Sequence, residues 1–159
     1  MIALRRAQAE DVARLAAWML AFFEHLRDST GDPYFVGASL AGHAAAATFK
    51  QAMAAGDLVL IAELDGTPVG YILASLQAPH VRESPIERIG HITHCFVEAA
   101  GRRRGVTKRL IAAAEEWFRD QHIRYVELSY MTGNRLAAMT WPRLGYLPVR
   151  TVARKDLGN

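Results

Sequence analysis

The sequence predicts a mixed α/β fold, close to an α+β arrangement, in one domain that spans residues 1–159. Residues 89 to 97 form an apolar strand-like stretch, a helical pattern starts after Gly105, and a second strand-like stretch covers residues 125 to 130. A β-α-β unit of this kind makes its two strands parallel. The dipeptide Asp65-Gly66 separates two further apolar runs and predicts an antiparallel hairpin. We therefore expect a central, mostly antiparallel sheet of about six to seven strands with one parallel pair, flanked by about four helices.

The first half of the chain begins with a short strand followed by two helices. Apolar residues at steps of three and four from Val12 to Leu26 predict an amphipathic helix. Residues 29 to 37 form a polar break that contains glycine and proline. An alanine-rich helix is then expected from about Leu40 to Ala55, closed by Gly56.

The second half contains the hairpin, the β-α-β unit and a last helix. The hairpin strands are expected at residues 58 to 64 and 69 to 76, and residues 77 to 87 read as a loop with two prolines. The last helix starts near Asn134, and two short strands are expected around residues 145 to 155.

Composition limits the classes of protein to consider. No stretch approaches the ~20 uncharged apolar residues of a membrane span, and no secretory signal is visible, so we expect a cytoplasmic protein without a membrane partner. The one cysteine, Cys95, cannot form an internal disulfide. Net charge is +3 and much of the excess lies between Arg102 and Arg109, which favours a local anion site over a nucleic-acid groove.

The run from Arg102 to Lys108 predicts where that anion binds. It follows a strand and opens a helix, whose first backbone N–H groups lack intrahelical partners and carry the positive end of the helix dipole. Gly105 lets a ligand approach the backbone, and three arginines add charge. No G-x-x-x-x-G-K-[ST] or strand-linked G-x-G-x-x-G occurs, so nucleotide hydrolysis and dinucleotide binding are not indicated.

Two short motifs resemble one family. Arg102-x-x-Gly105-x-Thr107 is similar to the acyl-CoA signature of the GNAT superfamily of N-acyltransferases, [QR]-x-x-G-x-[GA]. Asn134-x-x-Ala137, followed by Trp141 and a Leu-Gly-Tyr sequence at residues 144 to 146, resembles the downstream pattern N-x-x-A-x-x-F-Y-x-x-x-G-[FY]. The resemblance implies a GNAT domain whose parallel strand pair is splayed.

The resemblance implies acetyl-CoA as the cofactor, with its pantetheine arm between the splayed strands and its pyrophosphate on the loop and helix start. Thr107 stands where the family has Gly or Ala, and Asn134 fits a cofactor contact or a helix N-cap equally well. The implied cofactor-binding residues are Phe96, Val97, Arg102, Arg103, Arg104, Gly105, Val106, Thr107, Lys108, Asn134, Ala137 and Trp141.

Acetyl transfer to an amine needs a base, and the strand of residues 89 to 97 offers candidates. Period-two alternation predicts His91, Thr93, Cys95 and Val97 on one face, with Ile92, His94 and Phe96 on the other. The resemblance favours His91 as the base, followed by His94 and then Glu87. An inert, buried Cys95 and the absence of a metal site are expected.

The family has a tyrosine acid where this chain has Trp141, so Tyr130 or Tyr146 would protonate the leaving thiolate, or it would leave unassisted. The implied acceptor site, for a small-molecule amine or a peptide N-terminus, uses Phe23, Glu24, Tyr34 and Phe35. The alternatives are an acyl-CoA-binding sensor or partner module without turnover and, less favoured, a nucleic-acid patch. A monomer or a homodimer is expected.

Overall fold

A five-stranded sheet runs through the structure, a computed structural model that describes residues 1–36 and 42–158. The strands follow one another in space as they do in the chain. They are β1 (Ile2–Arg6), β2 (Leu58–Leu64), β3 (Thr67–Gln77), β4 (Ile89–Val97) and β5 (Val126–Leu128).

The strand pairing confirms the mixed α/β fold. Strands β1 to β4 pair antiparallel, and β4 pairs with β5 in parallel. The hairpin between β2 and β3 turns at Asp65 and Gly66, whose φ angles of 51° and 81° are those of a two-residue hairpin turn. The expected parallel strand at residues 125 to 130 is shorter, because only Val126–Leu128 pair with β4.

The expectation of six to seven strands is wrong for the described part of the chain. Residues 145 to 158, which were expected to supply two more strands, form no helix or strand there and are mostly exposed. A segment with strand-forming residues becomes a strand only where it meets a free sheet edge, and this one does not pair with β5.

The described residues form five helices that flank the sheet, where about four were expected. The additional helix is short, because residues 29 to 37, which were expected to form a break, contain a single helical turn before residue 37. Residues 37 to 41, which include the expected helix start at Leu40, lie outside the described residues. The helices are α1 (Val12–Thr30), α2 (Pro33–Val36), α3 (Gly42–Ala55), α4 (Val106–Asp120) and α5 (Arg135–Arg143). None of those described is long and apolar enough to span a membrane.

The sheet has an apolar core on each face. Helix α4 covers one face with residues such as Leu110 and Phe118, both almost fully buried. Helices α1 and α3 cover the other, where Phe49 packs edge-on against Tyr71 with ring centroids 5.3 Å apart. We call these the α4 face and the α1 face.

Strand β4 does not alternate as the sequence predicts, because it contains a bulge. His94 lies opposite Leu73 and Ile92 lies opposite Ala74, so Thr93 has no partner on β3. The bulge shifts the alternation by one residue, and Ile92 joins the core of the α4 face. The predicted separation of His91 from His94 is therefore wrong.

Candidate active site

The N-terminus of α4 has free backbone donors. Its N-cap, Gly105, has a φ of 83°, and no side chain in the described residues caps the helix. The first intrahelical bond runs from the Arg109 N–H to the Gly105 carbonyl, which leaves the amides of Val106, Thr107 and Lys108 without intrahelical acceptors. A Cβ at Gly105 would meet no atom within 4 Å, so the approach to these amides is open. The site therefore fits an anionic phosphate group.

The loop between β4 and α4 is fixed by polar contacts. Trp18 Nε1 donates to Glu98 Oε1 at 2.6 Å, and the Glu98 N–H donates to the Val69 carbonyl at 2.8 Å. Arg102 Nε donates to the Val97 carbonyl at 3.0 Å, which ties the loop to the end of β4. Arg103 and Arg104 are exposed. The Arg102 guanidinium thus has a structural contact at Nε in addition to its predicted role at an anion.

Strands β4 and β5 pair at one end and are open at the other. Their pairing runs from Gly90 opposite Val126 to Ile92 opposite Leu128, whereas β4 continues to Val97. The last five residues of β4 therefore lie beyond the last residue that pairs with β5. Phe96 and Val97, both predicted cofactor contacts, lie on this open stretch, which leads to the loop before α4.

The last helix contributes one capped end and one aromatic pair near the α4 face. Asn134 is its N-cap, with Oδ1 accepting from the Ala137 N–H at 3.2 Å. Trp141 is half-buried and meets Tyr146 at 5.7 Å in an edge-on contact. Tyr146 Oη donates to Glu115 Oε1 at 3.0 Å.

The Tyr146 hydroxyl is poorly suited to protonate the leaving thiolate. Burial raises its pKa above the usual tyrosine value, and the Glu115 carboxylate raises it further. Tyr130, the other tyrosine proposed for this role, is half-buried two residues beyond the end of β5.

His91 lies on the α1 face in a short polar row. Its Nδ1 is 3.3 Å from Gln77 Nε2 and 3.3 Å from Thr93 Oγ1. Burial lowers the pKa of His91 below its usual value, and the Glu127 carboxylate acts in the opposite direction. His91 is therefore a half-exposed imidazole that is mostly neutral near pH 7.

His94 lies on the same face among aromatic rings. Its ring centroid is 5.6 Å from Phe22, 5.9 Å from Phe23 and 6.4 Å from Tyr71. Burial, with a smaller contribution from His91, lowers the pKa of His94 to about 4. Two buried polar atoms here, His94 Nδ1 and Tyr71 Oη, have no hydrogen-bond partner within the described residues.

Two buried polar atoms without partners, on rings whose centroids are 6.4 Å apart, point to a site that a ligand or water completes. Tyr71 does not stand out in the sequence, because a tyrosine within an apolar strand resembles any other core residue. Only the pairing of β3 with β4 brings it to His94.

The predicted acceptor residues fall into two groups. Phe23 stacks on Phe35 with centroids 5.7 Å apart and extends the aromatic cluster around His94. Tyr34 is exposed and its ring lies 3.8 Å from the Arg154 guanidinium, whereas Glu24 is exposed on α1. The structure thus places Phe23 beside His94, with Phe35 stacked on Phe23, and leaves Tyr34 and Glu24 exposed.

Glu87, the third candidate base, lies at the closed end of the β4–β5 pair. It is exposed and lines a surface cleft of about 570 Å³ formed by residues 85–88 and 121–125. Cys95 packs against the core of the α4 face, and burial raises the pKa of its thiol to about 12. The described residues contain no cluster of histidine, cysteine or acidic side chains that would hold a metal ion.

Comparison with known protein families gives one match. Residues 12–146 match the family described as acetyltransferase (GNAT). No curated protein sequence matches the chain.

Several solved structures share the fold. The aminoglycoside N-acetyltransferase AAC(6')-Iy, solved with CoA, is 18% identical with a TM-score of 0.76, covering 99% of this chain and 96% of that one. A GCN5-related N-acetyltransferase from Ralstonia eutropha JMP134 is 17% identical with a TM-score of 0.75, covering 99% and 100%. A predicted acetyltransferase from Clostridium acetobutylicum, solved with acetyl-CoA, is 17% identical with a TM-score of 0.73, covering 99% and 97%. At these identities the likeness is one of fold.

Proposed function

Because the chain belongs to the acetyltransferase (GNAT) family, we propose that it moves an acetyl group from acetyl-CoA to a primary amine bound on the α1 face. The observation that carries the proposal is the uncapped N-terminus of α4 beside the open edge of β4. Neighbouring structures solved with CoA or acetyl-CoA support the choice of cofactor.

The cofactor site consists of the helix start and the open strand. We assign the diphosphate to the amides of Val106, Thr107 and Lys108, with Arg103 and Arg104 adding charge. When bound, acetyl-CoA supplies the acetyl thioester. Phe96 and Val97 of β4 and the half-buried Trp141 would border the arm that carries it. Asn134 acts through the helix it caps, which makes it a positioning residue in this proposal.

We assign the general base to His91. An acceptor amine is protonated near neutral pH and attacks only after it loses a proton, directly or through water. A base is most effective when its pKa is near the working pH, which favours His91 over His94, whose pKa is about 4. Neutral His94 and the Tyr71 hydroxyl are left to hydrogen-bond the acceptor or a water next to it.

A pH profile separates the two histidines. A base must be deprotonated, so kcat/KM should fall as the pH drops through its pKa. With His91 as the base, the fall is centred somewhat below the usual histidine value of about 6.5. The change His91→Ala should reduce kcat/KM by roughly 10²–10⁴-fold and remove this limb. A limb near pH 4 that survives His91→Ala and disappears in His94→Ala would transfer the role to His94.

We assign protonation of the leaving thiolate to Tyr130, since Tyr146 is hydrogen-bonded to Glu115. The change Tyr130→Phe removes only the hydroxyl and should lower kcat with acetyl-CoA while its binding is unchanged. The matched control is Tyr125→Phe, an exposed tyrosine at the other end of β5. Equal kcat values in the wild type and Tyr130→Phe would mean that the thiolate leaves without an acid. That is feasible because a thiol has a pKa of about 8.5.

The acceptor side favours an amine carried on an apolar or aromatic body. Phe22 and Phe23 lie beside His94, and Phe35 stacks on Phe23. Two acidic residues of the predicted acceptor region are paired, Asp28 with Arg27 and Asp32 with Arg154. A polycationic acceptor would need free carboxylates, whereas aromatic rings suit a flat apolar group next to one ammonium.

A panel containing an arylalkylamine, an aminoglycoside and a peptide with an aromatic N-terminal residue tests this preference. We expect the aromatic amine or the aromatic peptide to have the higher kcat/KM, and Phe23→Ala to raise its KM. Turnover of the aminoglycoside alone would contradict the assignment.

A CoA-binding protein without turnover is the second candidate function. Trp141 at the position where an acid is expected and the engaged Tyr146 hydroxyl favour it. Release of free CoA thiol with any amine of the panel identifies an enzyme, and a thermal shift with acetyl-CoA but no thiol release identifies a binding module.

A further inference from the structure

One acidic residue, Glu98, lies in the loop that leads to the proposed diphosphate site. We call residues 98 to 105, which join β4 to α4, the β4–α4 loop. Between residues 98 and 109 Glu98 is the only acidic residue, and the basic residues there are Arg102, Arg103, Arg104, Lys108 and Arg109. A carboxylate repels a nearby diphosphate, so its presence in this loop weakens anion binding by charge alone. We therefore expect Glu98 to have a role that outweighs this repulsion.

The Glu98 carboxylate accepts a hydrogen bond from a buried side chain of helix α1. Trp18 Nε1 donates to Glu98 Oε1 at 2.6 Å, and Trp18 is only 4% exposed. Hydrogen bonds to a charged acceptor are the stronger ones, and a buried indole N–H without an acceptor is costly. The contact therefore holds the Glu98 side chain in one place against α1.

Trp18 is itself fixed by the core of the α1 face. Its ring stacks on Tyr71 of β3 with centroids 6.1 Å apart and an angle of 5° between the planes. One helical turn later, Phe22 packs edge-on against Phe96 of β4 with centroids 6.4 Å apart. Helix α1 is thus anchored on the sheet on both sides of the hydrogen bond to Glu98, and the indole N–H is a fixed point for the loop.

The rest of the β4–α4 loop has little freedom to move independently of Glu98. The Glu98 N–H donates to the Val69 carbonyl at 2.8 Å, and the Glu98 carbonyl accepts from the Gly101 N–H at 2.9 Å. Gly101 is tightly packed, because a Cβ there would lie 2.9 Å from Val97 Cγ1 and 3.0 Å from Val69 Cβ. A displacement of Glu98 would therefore be passed along the loop toward Gly105.

We propose that Trp18 and Glu98 are positioning residues for cofactor binding. Their hydrogen bond holds the β4–α4 loop so that the amides at the start of α4 face the diphosphate of acetyl-CoA. This role rests on the proposed function, because it concerns the diphosphate site assigned there. It also has a distinctive sign: loss of the Glu98 carboxylate should weaken anion binding, although charge alone would strengthen it.

Two changes at Glu98 separate position from charge. Glu98→Ala and Glu98→Gln both remove the negative charge, but only glutamine keeps a side-chain oxygen that can accept from Trp18 Nε1. In calorimetric titrations with acetyl-CoA, we expect Glu98→Ala to raise Kd by about tenfold, the loss of one hydrogen bond to a charged group. Glu98→Gln should bind about as tightly as the wild type. Unchanged or tighter binding by Glu98→Ala would overturn the proposal.

A double-mutant cycle tests whether Glu98 acts through Trp18. Trp18→Phe keeps an aromatic ring but removes the N–H donor, so it should weaken acetyl-CoA binding in the same direction as Glu98→Ala. Adding Glu98→Ala to Trp18→Phe should then have little further effect, because the shared hydrogen bond is already lost. Fully additive losses would overturn the proposal. The control Glu116→Ala removes the same charge from an exposed position on α4 and should not weaken binding.

Hydrogen exchange without ligand tests the loop directly. In Glu98→Ala the amides of residues 98 and 101 should exchange faster than in the wild type, while protected amides of β3 show that the variant is folded. Unchanged exchange in these amides would overturn the positioning role. A wild type that does not bind acetyl-CoA would refute the proposed function as well, whereas wild-type binding that Glu98→Ala leaves intact would refute the positioning role alone.

Discussion

Replacing Gly105 with aspartate tests the proposed cofactor site, because it places a carboxylate at the N-terminus of α4 where the diphosphate is assigned. The new Cβ has space, since no atom lies within 4 Å of it, but the φ of 83° is strained for a side chain. Gly105→Asn has nearly the same shape and strain without the charge. Comparing the two variants therefore isolates electrostatics. A unit charge about 5 Å from a like charge near a protein surface costs about 3 kcal/mol, or more than a hundredfold in affinity.

The rise in Tm on addition of acetyl-CoA measures this loss of affinity. At a ligand concentration of about 100 times Kd, binding stabilises the folded state by about 2.7 kcal/mol. For a domain of 159 residues that corresponds to a rise in Tm of roughly 5–10 °C. A hundredfold weaker Gly105→Asp retains about 0.4 kcal/mol at the same concentration, a shift of about 1 °C. We expect Gly105→Asn to keep most of the shift, and an undiminished shift in Gly105→Asp would refute the assignment of the diphosphate to this helix start.

Two further predictions concern stability. A Cβ at Gly90 would lie 2.6 Å from the buried Phe118 ring, so Gly90→Ala should lower the free energy of unfolding by about 1–3 kcal/mol in urea titration, and an unchanged midpoint would contradict this packing. Hydrogen bonds from Arg5 lower the pKa of Asp11 in the folded state. The ionised Asp11 therefore stabilises the fold at any pH above its unfolded pKa of about 4, and this stabilisation is lost as the pH falls through the lower folded pKa. Asp11→Asn should cost about 1–3 kcal/mol at pH 7 and progressively less as the pH falls below the unfolded pKa of about 4, whereas a difference that is independent of pH would exclude this ion pair as the cause.

Local sequence signals predict most of the fold. Asp65-Gly66 indicates the hairpin because few residues adopt two successive positive φ angles, and the structure has that turn. The helical spacing after Gly105 predicts α4, whose buried residues Val106, Leu110 and Ala114 lie on one side. Residues 146 to 153 show where such signals fail: these residues favour a strand, but a strand also needs a paired edge, and sequence propensity does not say whether the chain provides one.

The site was predictable only in part, for a similar reason. The anion site depends on a local feature, an uncapped helix start after a glycine, and the structure contains it. The arrangement of the histidines depends on the pairing of β4 with β3, which cannot be read from β4 alone. The unpaired Thr93 is the deciding residue, because one extra residue moves all the following side chains to the opposite face.

The bulge at Thr93 places His91 and His94 on the same face of the sheet. In a regular strand His91 and His94, three residues apart, would lie on opposite faces, and one of them would enter the core under α4. With the bulge both imidazoles lie on the α1 face, while Cys95 and Val97 keep the α4 face apolar. The aromatic rings that bury His94 lower its pKa to about 4, so it stays neutral, whereas half-exposed His91 keeps Glu127 as a charged neighbour. Two histidines on one face therefore differ in burial and in charged neighbours, which is why we propose proton transfer for His91 and contact with the acceptor for His94.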